Sequence, residues 1–266
     1  MANPPAAAAA PRPGDNYVQS FARGLEVIRS FSAAAPRQTL TQVAALAGLT
    51  RAGARRILLT LQALGYVESD GKLFWLTPRI LDLGFAYLSS MPIWNLAEPV
   101  MEALVSQVRE SCSAAALDGA DIVYVLRVPT RKIMSIGLGV GSRLPAYCTS
   151  MGRVLLSSLP DEEVLRHLKA APPRALTRHT LTDVDVLLGK IHQERRQGWC
   201  LVNQELEEGL VSLAAPIVNR AGETIAALNI SGQANRTSAR LMQETMLPPL
   251  LEAAASISRL LGVQGA

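Results

Sequence analysis

Residues 41–77 read TQVAALAGLTRAGARRILLTLQALGYVESDGKLFWLT, and this stretch decides the fold of the N-terminal part of the chain. Apolar residues recur at helical spacing on both sides of Gly48, which supplies the small residue that a tight turn needs. We expect Thr41 to cap a short helix that Gly48 stops, and Thr50 to cap a longer helix that ends at Gly65. Two such helices joined by a tight turn are typical of a helix-turn-helix.

A β-hairpin is predicted directly after the second helix. Tyr66-Val67 and Leu73–Leu76 read as short strands joined at Asp70-Gly71, a dipeptide that favours tight hairpin turns. A hairpin in this position is a wing, and Lys72 lies just past its tip, where it can reach a phosphate. The sequence therefore predicts a winged helix-turn-helix over residues 15–77.

A further helix is predicted upstream, because Phe21, Leu25 and Ile28 recur at helical spacing after Ser20, a candidate N-cap. Residues 1–14, MANPPAAAAAPRPG, are a low-complexity Ala/Pro segment that we expect to be a disordered tail.

The net positive charge of the chain lies in its N-terminal third. The total is +4, and residues 1–94 hold nine Lys and Arg against five Asp and Glu, whereas the remainder holds seventeen of each. Residues 27–67 contain five arginines and no acidic residue. Such a segment attracts a polyanion, although a merely solvated basic surface is the alternative. The candidate DNA contacts are Thr50, Arg51, Ala52, Arg55, Arg56 and Lys72.

Residues 78–92 are predicted to form a linker helix. Pro78 opens the segment RILDLGFAYLSSM, and Met91-Pro92 closes it. The helix has more apolar surface than one small winged domain can cover, which favours a homodimer. We place a domain boundary at about residue 92 and assign residues 93–266 to a second domain.

The second domain is predicted to be α+β, with hairpin-linked strands and helices between them rather than a doubly wound parallel sheet. The predicted helices are 96–111, 151–159, one beginning at 160–161, 183–197 with Thr182 as cap, and 238–261. The predicted strands are 113–117, 122–128, 134–138, 201–204, 213–218 and 225–231.

Composition excludes several classes of protein. A chain of 266 residues with 49% hydrophobic residues can bury a core, and no apolar run approaches the roughly 18 residues needed to span a bilayer. The first residues lack a basic region followed by an apolar one, so we expect no secretory signal. Cys112, Cys148 and Cys200 lie too far apart for a disulfide framework or a zinc knuckle. We expect a cytoplasmic protein with buried, inert thiols and no membrane partner.

Catalytic motifs are scarce. There is no G-x-S-x-G elbow, and the glycines 137, 139 and 141 lack the lysine of a phosphate loop and the spacing of a dinucleotide site. His167, His179 and His192 have no ligand spacing and are interpreted as surface residues. The acidic cluster Glu205, Glu207 and Glu208 is interpreted as a solvated face or an oligomer contact. We therefore expect no enzyme activity, metal or cofactor.

A small-molecule cavity is indicated by polar residues near a helix start and on one late strand. Thr149 and Ser150 begin a helix whose free N–H groups favour an anion, with Tyr147 and Met151 as apolar walls. Asn229 and Ser231, two residues apart, share one strand face, and Ser212 is expected to join them. Ordinary helix capping and a solvent-facing strand are the alternatives. Arg143 is near enough in sequence to be considered as a charged partner.

The order and wording of these segments resemble the IclR family of bacterial transcription regulators. The stretches that carry the resemblance are YVQSFARGLEVI (17–28), LTRAGARRILLTLQALGYV (49–67), LTPRILDLG (76–84), DIVYVLRVP (121–129), LPAYCTSMGRVLLS (144–157), QELEEGLVSLAAPI (204–217) and ALNISG (227–232). The segments SFARGL, RVPTRKIM and QELEEGL are most similar to the sequences of the branch that controls protocatechuate and p-hydroxybenzoate catabolism.

The resemblance implies a winged helix-turn-helix, a linker helix and an antiparallel-sheet effector domain like a GAF or PAS domain. It also implies dimers, often paired into tetramers, and a pocket for small carboxylates. Carried over by position, the pocket residues are Ser150, Met151, Leu210, Ser212, Asn229 and Ser231. Ser212 stands where some relatives carry cysteine, and Asn229 stands where some carry serine.

Together these features predict a transcription regulator that binds double-stranded operator DNA and a small, aromatic carboxylic acid, with RNA polymerase as a further candidate partner. The alternatives are an enzyme fused to a DNA-binding module and an architectural DNA binder without a ligand.

Overall fold

The computed structural model describes residues 17–90, 93–130 and 138–263. The predicted tail over residues 1–14 and most of the strand predicted at 134–138 lie outside the described residues. The chain divides into two compact units between residues 90 and 91. No helix in the described ranges is long and apolar enough to cross a membrane.

The first unit is a small helical domain with a three-stranded sheet. Its elements are α1 (Gln19–Arg29), β1 (Gln38–Thr39), α2 (Leu40–Leu46), α3 (Arg51–Ala63), β2 (Val67–Ser69), β3 (Leu73–Leu76) and α4 (Leu81–Ser90), the last preceded by a 3₁₀ turn at Pro78–Ile80. The strands pair antiparallel in the order β1-β3-β2. This arrangement confirms the winged helix-turn-helix.

The turn of the helix-turn-helix follows the predicted chemistry. Gly48 adopts a positive φ of 64°, a conformation that glycine reaches without strain. Thr50 caps α3 by accepting a hydrogen bond from the Gly53 amide at 3.1 Å. Val43 on α2 and Leu58 on α3 are fully buried beside Val27 of α1, so the three helices share one core.

Two predicted helix caps in this unit were wrong. Thr41 lies inside α2, which Thr39 caps instead, through a reciprocal pair of hydrogen bonds with Gln42. Ser20 lies inside α1, which begins at Gln19 without a side-chain cap. Both Thr39 and Thr41 were possible caps from the sequence. Strand β1 pairs with β3 up to Thr39, so the extended chain ends there and the helix begins at the next residue.

In its described residues, the second unit alternates helices with the strands of one six-stranded sheet. Its helices are α5 (Ile93–Val108), α6 (Ser150–Ser157), α7 (Asp161–Ala170), α8 (Val184–Gln197) and α9 (Ala239–Val263). Its strands are β4 (Ser111–Asp118), β5 (Asp121–Val128), β6 (Arg143–Pro145), β7 (Cys200–Asn203), β8 (Leu210–Val218) and β9 (Thr224–Gln233). The strand β6 was not predicted, and Asp183 rather than Thr182 caps α8.

The sheet is antiparallel throughout, in the order β6-β5-β4-β9-β8-β7, which confirms the predicted α+β class. Helix α6 packs on one face of the sheet against β8 and β9, and α8 lies beside it. Helices α5 and α9 contact each other, and both also pack against the sheet. The pairing of β4 with β9 joins segments more than a hundred residues apart in sequence. This pairing brings the middle of the domain onto the same sheet as its late strands.

Candidate functional site

One exposed basic surface lies on α3 and the wing of the first unit. Thr50, Arg51, Ala52, Arg55 and Arg56 are all exposed at the N-terminal half of α3. The opposite face of the helix is buried through residues 54, 58 and 61. Arg51 and Arg55 are four residues apart and share a helix face, and Arg56 lies about 100° further round the helix. Together the three arginines form a cationic strip along the exposed side of the N-terminal half of α3.

The cations of this strip are available to a ligand. Within the described ranges, Arg51, Arg55, Arg56 and Lys72 form no ion pair. Lys72 is exposed on the wing, just after the turn residue Asp70. The Asp70 carboxylate accepts the amides of Lys72 and Leu73, and these hydrogen bonds lower its pKa, so the acid stabilises the turn.

The wing also carries a cation that the sequence did not single out. The Arg37 guanidinium stacks over the Trp75 ring at 4.2 Å from its centroid, and the Trp75 indole donates to Glu68 at 3.1 Å. This cation–π contact holds Arg37 beside the wing, although Arg37 is exposed to solvent. The sequence did not indicate this contact, because Arg37 lies in an irregular segment and Trp75 follows it only 38 residues later.

A small cavity of about 20 Å³ lies in the second unit between α6 and the late strands. All seven residues predicted for effector binding line it: Thr149, Ser150, Met151, Leu210, Ser212, Asn229 and Ser231. The other lining residues are Tyr124, Leu144, Cys148, Val202 and Leu206. A cavity of this size holds about one water molecule, so a ring-sized ligand requires its walls to move apart. The walls combine apolar side chains with a few polar groups, as small-molecule sites usually do.

The polar groups of the cavity form one hydrogen-bonded cluster. Ser150 and Ser212 hydroxyls lie 2.7 Å apart, and Ser212 and Ser231 hydroxyls lie 3.1 Å apart. The Asn229 amide nitrogen donates to Ser212 at 3.1 Å and to Ser231 at 2.9 Å, while its oxygen accepts the Ser113 amide at 3.1 Å. The cluster is neutral and can both donate and accept, which suits phenolic hydroxyl or carboxyl oxygens.

The start of α6 is held at the cavity wall by close packing. Thr149 caps the helix by accepting the Gly152 amide at 3.2 Å, and it donates to the Pro145 carbonyl at 2.9 Å. A Cβ at Gly152 would collide with the Ala146 backbone, so only glycine permits this approach. The helix dipole at this end favours negative charge in the cavity.

The thiols of this unit are buried, as predicted. Burial raises the pKa of the Cys148 thiol, which lines the cavity, to about 12. Burial also raises the pKa values of Cys112 and Cys200. A thiol with such a pKa stays protonated at neutral pH and is a poor nucleophile.

A buried ion cluster behind the cavity was missed by the sequence reasoning. Arg153 on α6 is 1% exposed, and its guanidinium donates to Glu194 at 3.1 Å and to both oxygens of Glu205 at 2.8 and 2.6 Å. Its Nε donates to the Tyr147 carbonyl at 2.7 Å. Burial raises the pKa of Glu194 despite the opposing charge of Arg153. The signal that could have found the cluster is an arginine inside a helix that is otherwise small or apolar, SMGRVLLS.

This ion cluster overturns part of the interpretation of the acidic segment. Glu207 and Glu208 are exposed, but Glu205 is 8% exposed and is not a solvated residue. Its carboxylate anchors the loop between β7 and β8, which contributes Leu206 to the cavity wall and leads into β8 at Leu210, another lining residue. The cluster therefore fixes the loop that closes one side of the cavity.

The histidines and carboxylates do not add catalytic groups to the cavity. His192 and Asp161 pair at 2.9 Å, and Arg195 donates to the same carboxylate at 2.9 Å. None of these residues lines the cavity. Within the described ranges, no group of three or more His, Cys, Asp or Glu residues is arranged to hold a metal ion.

Comparisons with known proteins match nearly the whole chain. The model of the bacterial transcriptional regulator IclR C-terminal domain matches residues 85–259, and that of the IclR helix-turn-helix domain matches residues 20–71. The Pca regulon regulatory protein of Pseudomonas putida is 42% identical over 243 residues, which cover 91% of this chain and 84% of that protein.

Two solved structures are also similar. A protein of Rhodococcus sp. RHA1 is 50% identical, with a TM-score of 0.83, and the match covers 92% of this chain and 99% of that chain. The inducer-binding domain of a double mutant of the transcription factor PobR from Acinetobacter, in complex with 3-hydroxybenzoic acid, is 32% identical with a TM-score of 0.60. That match covers 63% of this chain and 98% of that chain.

Proposed function

The chain belongs to the IclR family of bacterial transcription regulators, and we propose that it controls genes of aromatic catabolism in response to a small aromatic carboxylic acid. The observation that carries the proposal is the cavity of the second unit, in which a neutral polar cluster faces apolar walls. A relative that contains this domain was crystallised with 3-hydroxybenzoic acid. We expect the effector here to be protocatechuate, p-hydroxybenzoate or a ring-cleavage product.

The polar cluster supports this class of ligand. Ser150, Ser212, Asn229 and Ser231 supply neutral donors and acceptors for ring hydroxyls, while Met151 supplies an apolar wall for the ring. The resemblance in wording to the protocatechuate and p-hydroxybenzoate branch supports the choice of an aromatic over an aliphatic acid. Binding of the acid changes operator affinity or polymerase contact only if the two conformations of the regulator bind it differently.

We further propose that α3 enters the major groove of the operator. In this proposal Arg51 and Arg55, near its N-terminus, contact bases, and Arg56 and Lys72 contact phosphates. The exposed and unpaired state of these cations supports these roles. We also propose that the winged domain ends at residue 77 and that the linker helix ends at residue 92.

The regulator is proposed to act as a homodimer. Helix α4 exposes Leu81, Leu83, Phe85 and Tyr87, and exposed apolar surface of this kind often marks a contact with another protein chain. Two-fold symmetry then predicts an operator of two half-sites arranged as a pseudo-palindrome.

A thermal-shift panel of aromatic and aliphatic acids tests the proposed effector class. Stabilisation by aromatic acids without turnover supports the proposal, because a ligand that binds only the folded state raises the melting temperature. Stabilisation by aliphatic acids alone would overturn the aromatic assignment. No stabilisation by any acid would favour an architectural DNA binder. The other alternative, a fused enzyme, is excluded because the relatives matched over nearly the whole chain are regulators.

A further inference from the structure

A row of polar residues continues across the sheet beyond the cavity. The strand register pairs Arg127 on β5 with Ser113 on β4, and it pairs Ser113 with Asn229 on β9. Directly opposed residues of neighbouring strands lie on the same face of a sheet, and Asn229 lines the cavity. Arg127 therefore lies on the cavity face, two strand spacings or roughly 10 Å from Asn229.

Hydrogen bonds connect Arg127 to the cavity cluster. Its Nη1 donates to the Ser113 hydroxyl at 3.3 Å, and the Ser113 amide donates to the Asn229 side-chain oxygen at 3.1 Å. Asn229 in turn donates to Ser231. The guanidinium is thus directed along the row toward the cavity, and not toward the other end of β5.

The charge of Arg127 also reaches a cavity wall. Tyr124 lines the cavity, and its side chain lies on the same face of β5 because a bulge opposite Ala114 and Ala115 inserts one residue between them. Burial raises the pKa of the Tyr124 phenol, and the positive charge of Arg127 partly offsets that effect. An anion in the cavity would experience the same attraction.

Among the described residues, Arg127 differs from Arg143 and Arg153 in having no carboxylate partner. Arg143, the arginine considered from the sequence, is engaged by Asp118 at 2.6 Å and by Asp121 at 3.3 Å. Arg153 is engaged by its two buried glutamates. Within the described ranges, the half-buried guanidinium of Arg127 has only a neutral hydroxyl as partner. A partly desolvated guanidinium with free N–H groups is a favourable site for a carboxylate, which it can bind through two parallel hydrogen bonds.

We propose that Arg127 binds the carboxylate of the effector and makes the cavity selective for acids over neutral molecules of the same shape. The inference rests on the proposed function, which it extends by naming the charged partner. It places the carboxylate at the β5 side of the cavity, whereas the sequence predicted the start of α6, at Thr149 and Ser150, as the anion site. The ring hydroxyls then face Ser150, Ser212 and Ser231.

Calorimetry on the full chain tests this inference with matched pairs of ligands. The probes are p-hydroxybenzoate, 3-hydroxybenzoate and protocatechuate, each compared with its neutral carboxamide. In Arg127→Gln we expect acid binding to weaken about 10- to 100-fold, because a charge-assisted pair is lost, and amide binding to change by less than about threefold. The preference for the acid therefore collapses. Arg127→Lys should keep part of the preference, because the charge remains but the two-pronged contact is lost.

Arg143→Gln is the matched control, because Arg143 belongs to the same sheet but already has two carboxylate partners. It should keep the affinity of the wild-type chain for the acids. Retained carboxamide binding and an unchanged melting temperature in the Arg127 variants show that the second unit is folded, and Arg127→Lys covers the case in which Arg127→Gln does not fold.

The outcomes separate this inference from the proposed function. If the wild-type chain prefers the acids and Arg127→Gln and Arg127→Lys keep that preference undiminished, the role of Arg127 is overturned and the proposed function stands. If the wild-type chain binds aliphatic acids such as succinate instead, and Arg127→Gln loses them, Arg127 is upheld and the aromatic assignment fails. If no acid binds the wild-type chain, both are overturned.

Discussion

Replacement of Arg153 by methionine tests whether the buried ion cluster holds the effector domain together. Arg153 is the only cation in contact with Glu194 and Glu205 among the described residues, and all three side chains are buried. Methionine fills similar space but leaves two buried carboxylates without a counter-charge. Removal of one partner of a buried ion pair costs about 3–5 kcal/mol of unfolding free energy. For a domain of this size the melting temperature should fall by roughly 6–20 °C.

The loss should depend on pH. Arg153 lowers the pKa of Glu194, so its removal raises that pKa further above the value in the unfolded chain. A carboxyl with a raised pKa in the folded state favours folding at low pH, and this contribution is lost as the pH rises through the folded-state pKa. The stability deficit of Arg153→Met should therefore be largest at pH 8 and should shrink toward pH 5.

Scanning calorimetry and urea unfolding of the full chain at pH 5 and pH 8 measure the deficit. Arg143→Met is the control, because it also removes an arginine with two carboxylate partners, but one whose side chain is 46% exposed. It should cost about 0–1 kcal/mol. Glu205→Gln is a milder second variant that leaves Arg153 paired with Glu194. A deficit below about 1 kcal/mol at pH 8, or an equal deficit at both pH values, would refute the reasoning.

Three further predictions concern the proposed function. Replacing Arg51 or Arg55 with alanine should weaken operator binding by about 1–3 kcal/mol. If each protomer of a dimer contacts three or four phosphates, the wild-type affinity should fall with salt concentration at a log–log slope of roughly −5 to −7. A slope near zero in a gel-shift titration would contradict the electrostatic argument. Asn229→Ala or Ser231→Ala should each weaken effector binding by about 0.5–3 kcal/mol in calorimetry, with effector-free operator affinity intact, and unchanged affinity in both variants would move the binding site elsewhere. Light scattering should show a particle larger than the 28.5 kDa chain, and Phe85→Glu should shift it toward the monomer; a monomer that binds its operator at micromolar concentration would exclude the dimer.

The helix-turn-helix could be predicted from the sequence because its determinants are local. Gly48 in its turn and Thr50 at its cap act on neighbours one to four residues away, so their chemistry specifies the backbone directly. The same locality explains the errors by one or two residues at Thr41 and Thr182. Neighbouring polar residues compete for a cap, and packing decides between them.

The candidate cavity was foreseeable in part. The i, i+2 spacing of Asn229 and Ser231 places both side chains on one strand face, and Thr149 marks the start of α6. Which side of that strand faces α6 depends on the pairing of β8 and β9 and on the packing of α6 against them.

Only the tertiary structure decided the charged partners. Arg153 meets Glu194 and Glu205 at separations of 41 and 52 residues, and Arg127 reaches Asn229 through Ser113 across three strands. Side-chain periodicity assigns a residue to a face, but it carries no information about which distant residue lies opposite. That choice depends on strand register, which is set by the burial of a whole sheet face and not by any single residue.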